Sequence, residues 1–153
     1  MGPIENILED KGHKLYIAAP DDAVVAAVEA MCVARIGALL VMDGQVLCGI
    51  FCERDLMTRV VLARRDPSTT RLRDVMTRDV ACIAPDLAVR DAMGIMTERR
   101  VSHLPVADHG RLIGLISIGD LVRWTTEDNT HQIADGHHQI EDLTDYVTGR
   151  YPG

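Results

Sequence analysis

Apolar and polar positions follow two different periods along this chain, and the periods succeed one another in the same order twice. Short apolar runs at 15–19 and 80–84 end at Pro20 and Pro85. A strand is predicted at each, with Asp21 or Asp86 placed to cap the helix that follows. Val24, Ala27, Val28 and Met31, and later Val89, Ala92, Met93 and Met96, then recur at i, i+3, i+4 and i+7. That spacing gathers the apolar residues on one helical face. Two further apolar runs follow in each passage, ALLVM with VLCGIF and HLPVA with LIGLIS. The turn residues of MDGQ and ADHGR join each pair into a hairpin. A closing helix is predicted to begin at Asp55 and at Asp120. The order is β-α-β-β-α, twice, an α/β (α+β) fold.

The two passages are copies of one unit. Displaced by 65 residues without a gap, Ala19-Pro20-Asp21 falls on Ala84-Pro85-Asp86, and Ala27, Met31 and Arg35 fall on Ala92, Met96 and Arg100. Leu39, Val41 and Asp43 meet Leu104, Val106 and Asp108, while Gly49 and Asp55-Leu56 meet Gly114 and Asp120-Leu121. An internal repeat of this kind governs every later inference. The expected division is an N-terminal helical segment (1–13, through Ile4, Ile7 and Leu8), copy one (14–63) and a polar linker (64–71). Copy two (72–126) and a tail (127–153) with a short helix through Ile140, Leu143 and Val147 complete it. The segment LRDVMT is expected to form one helical turn leading into copy two.

Composition narrows the classes. Hydrophobic residues make up 47% of the 153 positions but aromatics only 3%, so the core is aliphatic and no base-stacking platform is available. A formal net charge of -7 opposes counterion-driven binding to nucleic acid and to anionic membranes. No apolar run approaches the ~18 residues of a membrane-spanning helix, and acidic residues stand where a signal peptide would be apolar. A cytoplasmic protein is expected. Cys32, Cys48, Cys52 and Cys82 form no Cys-x-x-Cys pair and are expected to be buried, reduced thiols. His131, His137 and His138 match no standard metal spacing and are expected to be solvated. Nucleophile–base pairs, P-loops and convergent carboxylates are missing from the sequence, so a binding module is expected rather than an enzyme.

Half-domains of about 60 residues bury too little surface alone, so the copies are expected to pack through their sheets about a pseudo-twofold axis. Such pairing would leave clefts of the kind that take small ligands. The chemistry lies where the last strand meets the last helix. In Gly114-Leu115-Ile116-Ser117-Ile118-Gly119-Asp120, the glycine permits close approach and Ser117 offers a hydroxyl. Asp120 offers an acceptor-only carboxylate suited to two ribose hydroxyls. Copy one has Gly49, Cys52 and Asp55 at these places and adds Arg54 as a phosphate partner.

With GLISIGD, HLPV and DVMT in place, the chain resembles a tandem pair of CBS domains (named for cystathionine β-synthase), the arrangement called a Bateman module. The resemblance covers residues 14–63 and 72–126, and the flanks resemble stand-alone two-CBS proteins. It implies a regulatory module binding AMP, ADP or ATP, or NAD or S-adenosylmethionine, with no catalytic cofactor. It also implies a homodimer and a protein partner that responds to the ligand. Asp120 and Asp55 would hold ribose, and Ser117 a phosphate. Strand residues Ile17, Leu39, Cys82, His103, Leu104 and Pro105 would surround the adenine. Ser102 stands where relatives often carry Arg, and the thiol of Cys52 is a poor donor. The alternative is therefore a structural or oligomerisation module with degenerate sites.

Overall fold

A computed structural model describes residues 2–132, with side chains as far as Glu127. The expected C-terminal helix, His137, His138 and the side chain of His131 lie outside the described residues. In chain order the first elements are α1 (Ile4–Lys11), β1 (Ile17–Ala18), α2 (Val24–Ala34), β2 (Ala38–Asp43) and β3 (Val46–Cys52). The short α3 (Glu53–Asp55) then continues as a π-helical stretch, Leu56–Val61. The chain proceeds through α4 (Leu72–Val75), α5 (Val89–Arg99), β4 (His103–Asp108), β5 (Arg111–Ser117) and α6 (Ile118–Gln132).

Two packing units result. Lys14–Ala81 forms one; residues up to His13 join the chain from Cys82 onward to form the other. In the Lys14–Ala81 unit, β2 lies between β1, to which it is parallel, and β3, to which it is antiparallel. Val24, Ala27 and Met31 of α2 pack with Leu39, Val41, Phe51 and Val60, and the apolar side of α4 (Leu72, Val75, Met76) closes this core. Each fully buried aliphatic side chain of this size contributes about 1.5–3 kcal/mol. Just past the π-helical stretch the Leu62 and Arg65 amides donate back to its Met57 and Val60 carbonyls, five residues earlier.

The second unit repeats the plan. β4 and β5 pair antiparallel, with a bulge between Val106 and Ala107 that matches the one between Val41 and Met42. The β4–β5 turn is His109-Gly110, both with positive φ (49° and 79°), as a two-residue hairpin loop requires. The N-terminal helix α1 takes the part that α4 plays in the other unit. Pro3 bridges Ala88 as Arg71 bridges Ala23. The amides of Ile4 and Glu5 donate to the carbonyls of Leu87 and Pro85; those of Leu72 and Arg73 donate to Asp22 and Pro20. Ile4, Ile7 and Leu8 correspond to Leu72, Val75 and Met76, and all six are buried. LRDVMT forms its expected helical turn, but that turn packs on the strands of copy one rather than leading copy two.

Four expectations change. The strand expected at 80–84 shrinks to a single bridge, Ile83 to Val106, because the Val80 amide turns back to the Arg78 carbonyl and draws the chain off the sheet. Asp21 does not cap α2, whose N-cap is Ala23. The Val24 and Val25 amides already donate to the carbonyls of Thr70 and Pro67, and Asp21 pairs with Arg71 and Arg73 instead. Likewise α5 begins after Ala88 without a side-chain cap, and its first amide, of Val89, donates to Gly2. The cysteines are not buried: Cys32 and Cys82 are exposed, Cys48 and Cys52 half-buried.

Candidate functional site

At the end of β5 the chain folds Ser117 and Asp120 back on each other. The Ser117 amide donates to Asp120 Oδ2 (2.9 Å), and the Asp120 amide donates to Ser117 Oγ (3.1 Å). This reciprocal arrangement is a capping box. Ser117 therefore occupies the cap position and Asp120 stands in the first turn of α6, which begins at Ile118, two residues before the expected start. The ammonium of Lys11, from the last turn of α1, donates to the same Oδ2 (2.7 Å) and to the Leu115 carbonyl (3.0 Å). Asp120 is nine-tenths buried, and Oδ1, which has no hydrogen-bond partner among the described residues, is the oxygen left open to solvent. His103 stands close enough for its charge to feel both Asp120 and Lys11, and its Nδ1 shares a hydrogen bond with Ser102 Oγ (3.0 Å). Lys11 was missed by sequence reasoning. Its signal was the repeat itself, since aligning Ile4, Ile7 and Leu8 with Leu72, Val75 and Met76 brings the end of α1 to this junction.

The matching place in copy one is closed from within. Asp55 Oδ2 accepts the Cys52 amide (3.0 Å) and the Cys52 thiol (3.2 Å), and Oδ1 accepts the Thr77 hydroxyl (2.9 Å). Arg59 Nε lies 3.6 Å from Oδ1. Burial raises the Cys52 pKa and the adjacent carboxylate adds to the effect, so the sulfur remains a protonated donor. Thr77 also pairs its backbone with Ile50 on the edge of β3. In copy two that edge meets side chains: Lys11 takes the Leu115 carbonyl and His13 lies 2.9 Å from the Ile113 carbonyl. The glycines serve this packing. A Cβ on Gly49 would stand 2.6 Å from the Thr77 carbonyl oxygen, and one on Gly114 would stand 2.5 Å from a methyl of Leu8.

Residues 72–127 match the CBS domain family. A mitochondrial CBS domain-containing protein of Arabidopsis thaliana, CBSX3, is 32% identical over 157 residues, which span 97% of this chain and 73% of that protein. The chain belongs to the CBS-domain proteins. It carries the domain as a tandem pair. A crystal structure of a protein with CBS domains from Burkholderia ambifaria is 43% identical, with a TM-score of 0.80 over 82% of this chain and 95% of that one. The CBS domain pair of protein MJ0100, solved with 5′-methylthioadenosine and S-adenosyl-L-methionine, shares the fold at 22% identity and a TM-score of 0.70. It covers 80% of this chain and 98% of that one.

Within this CBS-domain pair the other expected site residues fare unevenly. Ile17 is exposed on β1 and Cys82 is exposed beside the Ile83 bridge. Arg54 is exposed in α3. Leu39 packs into the core of its unit and Leu104 is buried, so neither side chain is free to touch a ligand. Pro105 is buried on β4, an outer strand of its two-stranded sheet, and its carbonyl accepts the Ile83 amide (2.9 Å). Its missing N–H therefore faces the side where only that bridge lies, so the proline costs the sheet no ladder bond. A cleft of about 320 Å³ on the Lys14–Ala81 unit, lined by Val28, Met31, Cys32, Arg35, Ile36 and Leu56, contains none of the expected site residues.

The copy-two cluster makes stability depend on pH in a stated direction. Burial lowers the His103 pKa; Asp120 opposes this and Lys11 adds to it, so folding favours the neutral imidazole. Burial alone would raise the Asp120 pKa, but the hydrogen bonds from Lys11 and Ser117 outweigh it and hold the carboxyl below its usual range. Both groups have folded pKa values below their unfolded ones. Each contribution is therefore complete above the unfolded pKa and is lost as pH falls through the folded one. Thermal melting followed against pH is expected to show Tm falling first below about pH 6.5 and again below about pH 4, the unperturbed values of the two groups. His103→Gln should flatten the first decline and leave the second.

Proposed function

We propose that this CBS-domain pair is a regulatory binding module for an adenosine-containing ligand, received at the copy-two junction and transmitted to a partner protein. Asp120 carries the proposal. A carboxylate nine-tenths buried, held rigid through Oδ2 and with Oδ1 left over, is an acceptor prepared for hydroxyl donors. A ribose supplies two such donors on adjacent carbons. Ser117 and Lys11 stand beside the carboxylate with a hydroxyl and a cation. The adenosine compounds in the MJ0100 pair support the choice of ligand class. AMP, ADP, ATP, NAD and S-adenosylmethionine all present this ribose. The homodimer belongs to the same reading, with exposed Met57, Val61 and Leu62 as apolar surface for a second copy to cover. The proposal includes no catalytic step and no catalytic cofactor.

Titration calorimetry of the full chain against adenosine, AMP, ATP, NAD and S-adenosylmethionine, with guanosine and GMP as controls, tests the reading. Micromolar binding of at least one adenosine compound, with weaker or no guanosine binding, is the expected result. A chain that bound none of them would instead be a structural or assembly module.

A further inference from the structure

Lys11 is held by two acceptors that differ in kind. Asp120 Oδ2 belongs to the charged carboxylate whose Oδ1 the proposed ligand would engage, and the Leu115 carbonyl is a neutral backbone group fixed in β5. An ammonium has three N–H donors; two are used here, and about a third of the Lys11 side chain remains exposed. The cation is thus anchored to the backbone as well as to the carboxylate, and its third donor is taken by neither of these partners. Position 102, beside His103, is a serine and brings no charge. Burial and the neighbouring lysine both keep His103 neutral near pH 7. Among Lys11, Ser102, His103, Ser117 and Asp120, Lys11 is the one cation.

We infer that Lys11 is the specificity-determining residue for a phosphate on the ligand, the group through which this module distinguishes a nucleotide from its nucleoside. The inference rests on the adenosine reading above and deepens it. Copy one offers a contrast: Thr77, which occupies the matching edge and bonds the matching carboxylate, is neutral. The difference arises in secondary structure. α4 stops at Val75 and leaves Thr77 extended against β3, whereas α1 continues for another turn and delivers Lys11 to β5 by its side chain.

The test compares adenosine with AMP by calorimetry on the full chain carrying Lys11→Met, which retains the aliphatic stem, and Lys11→Arg, which retains the charge. In the wild type AMP should bind more tightly than adenosine, and added salt should narrow the gap. Lys11→Met should weaken AMP binding by about tenfold or more beyond any loss of adenosine binding, the usual effect of one charge-assisted hydrogen bond. Lys11→Arg should restore most of the AMP affinity. Equal losses for AMP and adenosine in Lys11→Met would make Lys11 a mere support for Asp120 and overturn the inference, as would no change in either. Adenosine binding by the variants, with circular dichroism, reports whether they are folded. Failure of the wild type to bind adenosine or AMP would overturn the adenosine reading itself, a result distinct from binding that ignores Lys11.

Discussion

Leu8→Ala is expected to cost about 2–5 kcal/mol of folding free energy, the range for a fully buried leucine whose removal leaves a cavity. Leu8 lies in a segment that reads in sequence as an appendage, yet its side chain is wholly buried and fills the space beside Gly114. The glycine is there because a methyl group in its place would meet the Leu8 side chain at 2.5 Å. The two positions should therefore be strongly coupled. Gly114→Ala alone should destabilise by about 1–3 kcal/mol through overpacking. In the Leu8→Ala background the added methyl falls into vacated space, and its cost should shrink or reverse. Urea unfolding of the two single variants and the double variant measures this. Val33→Ala, on the outer face of α2 where the side chain is 87% exposed, should stay within about 0.5 kcal/mol of the parent. Strict additivity would mean that α1 is only loosely seated.

The periodicities made the β-α-β-β-α order legible in both copies, except that the first strand of copy two survives only as the Ile83 bridge. Val24, Ala27 and Met31 are buried where the 3.6-residue period puts them, and the hairpins turn at MDGQ and ADHGR as their residues require. What the sequence hid was tertiary. The helices α2 and α5 needed no aspartate cap because carbonyls of distant segments reach their first amides, and distant partners leave no local pattern. Leu39, Leu104 and Pro105 came from the resemblance alone, and the sequence did not show that all three side chains are buried, since burial is decided by what packs across. Asp120 and Ser117 were legible as chemistry by their spacing. Lys11 was not, since only the likeness of Ile4, Ile7 and Leu8 to Leu72, Val75 and Met76 brings the end of α1 near Asp120.

The two aspartates of the repeat, alike in sequence, are expected to fail in opposite ways. Asp55→Ala removes the acceptor for the Cys52 amide and the Thr77 hydroxyl around a side chain that is 5% exposed. Each donor left unpaired in such a place costs about 1–3 kcal/mol, so a total loss of about 2–6 kcal/mol is expected. Asp120→Ala strands less. The Ser117 amide loses its partner, but Lys11 is partly solvated and keeps the Leu115 carbonyl, so about 1–2 kcal/mol, the scale of a lost cap, is expected. Binding should invert the order. Asp120→Ala removes the free Oδ1 and should raise the Kd for an adenosine ligand by about a hundredfold or more, the cost of two hydroxyls deprived of a charged acceptor. Asp55 has both oxygens engaged by its own unit and offers a ligand no vacant acceptor, so folded Asp55→Ala should bind within about twofold of the parent. Urea unfolding and calorimetry on the two variants give the four numbers. A hundredfold loss in Asp55→Ala would mean that ligand displaces Thr77 from the carboxylate and that copy one binds as well. Equal stability losses would mean that the unpaired donors of copy one find water, and that the closed appearance of that site is not what holds it together.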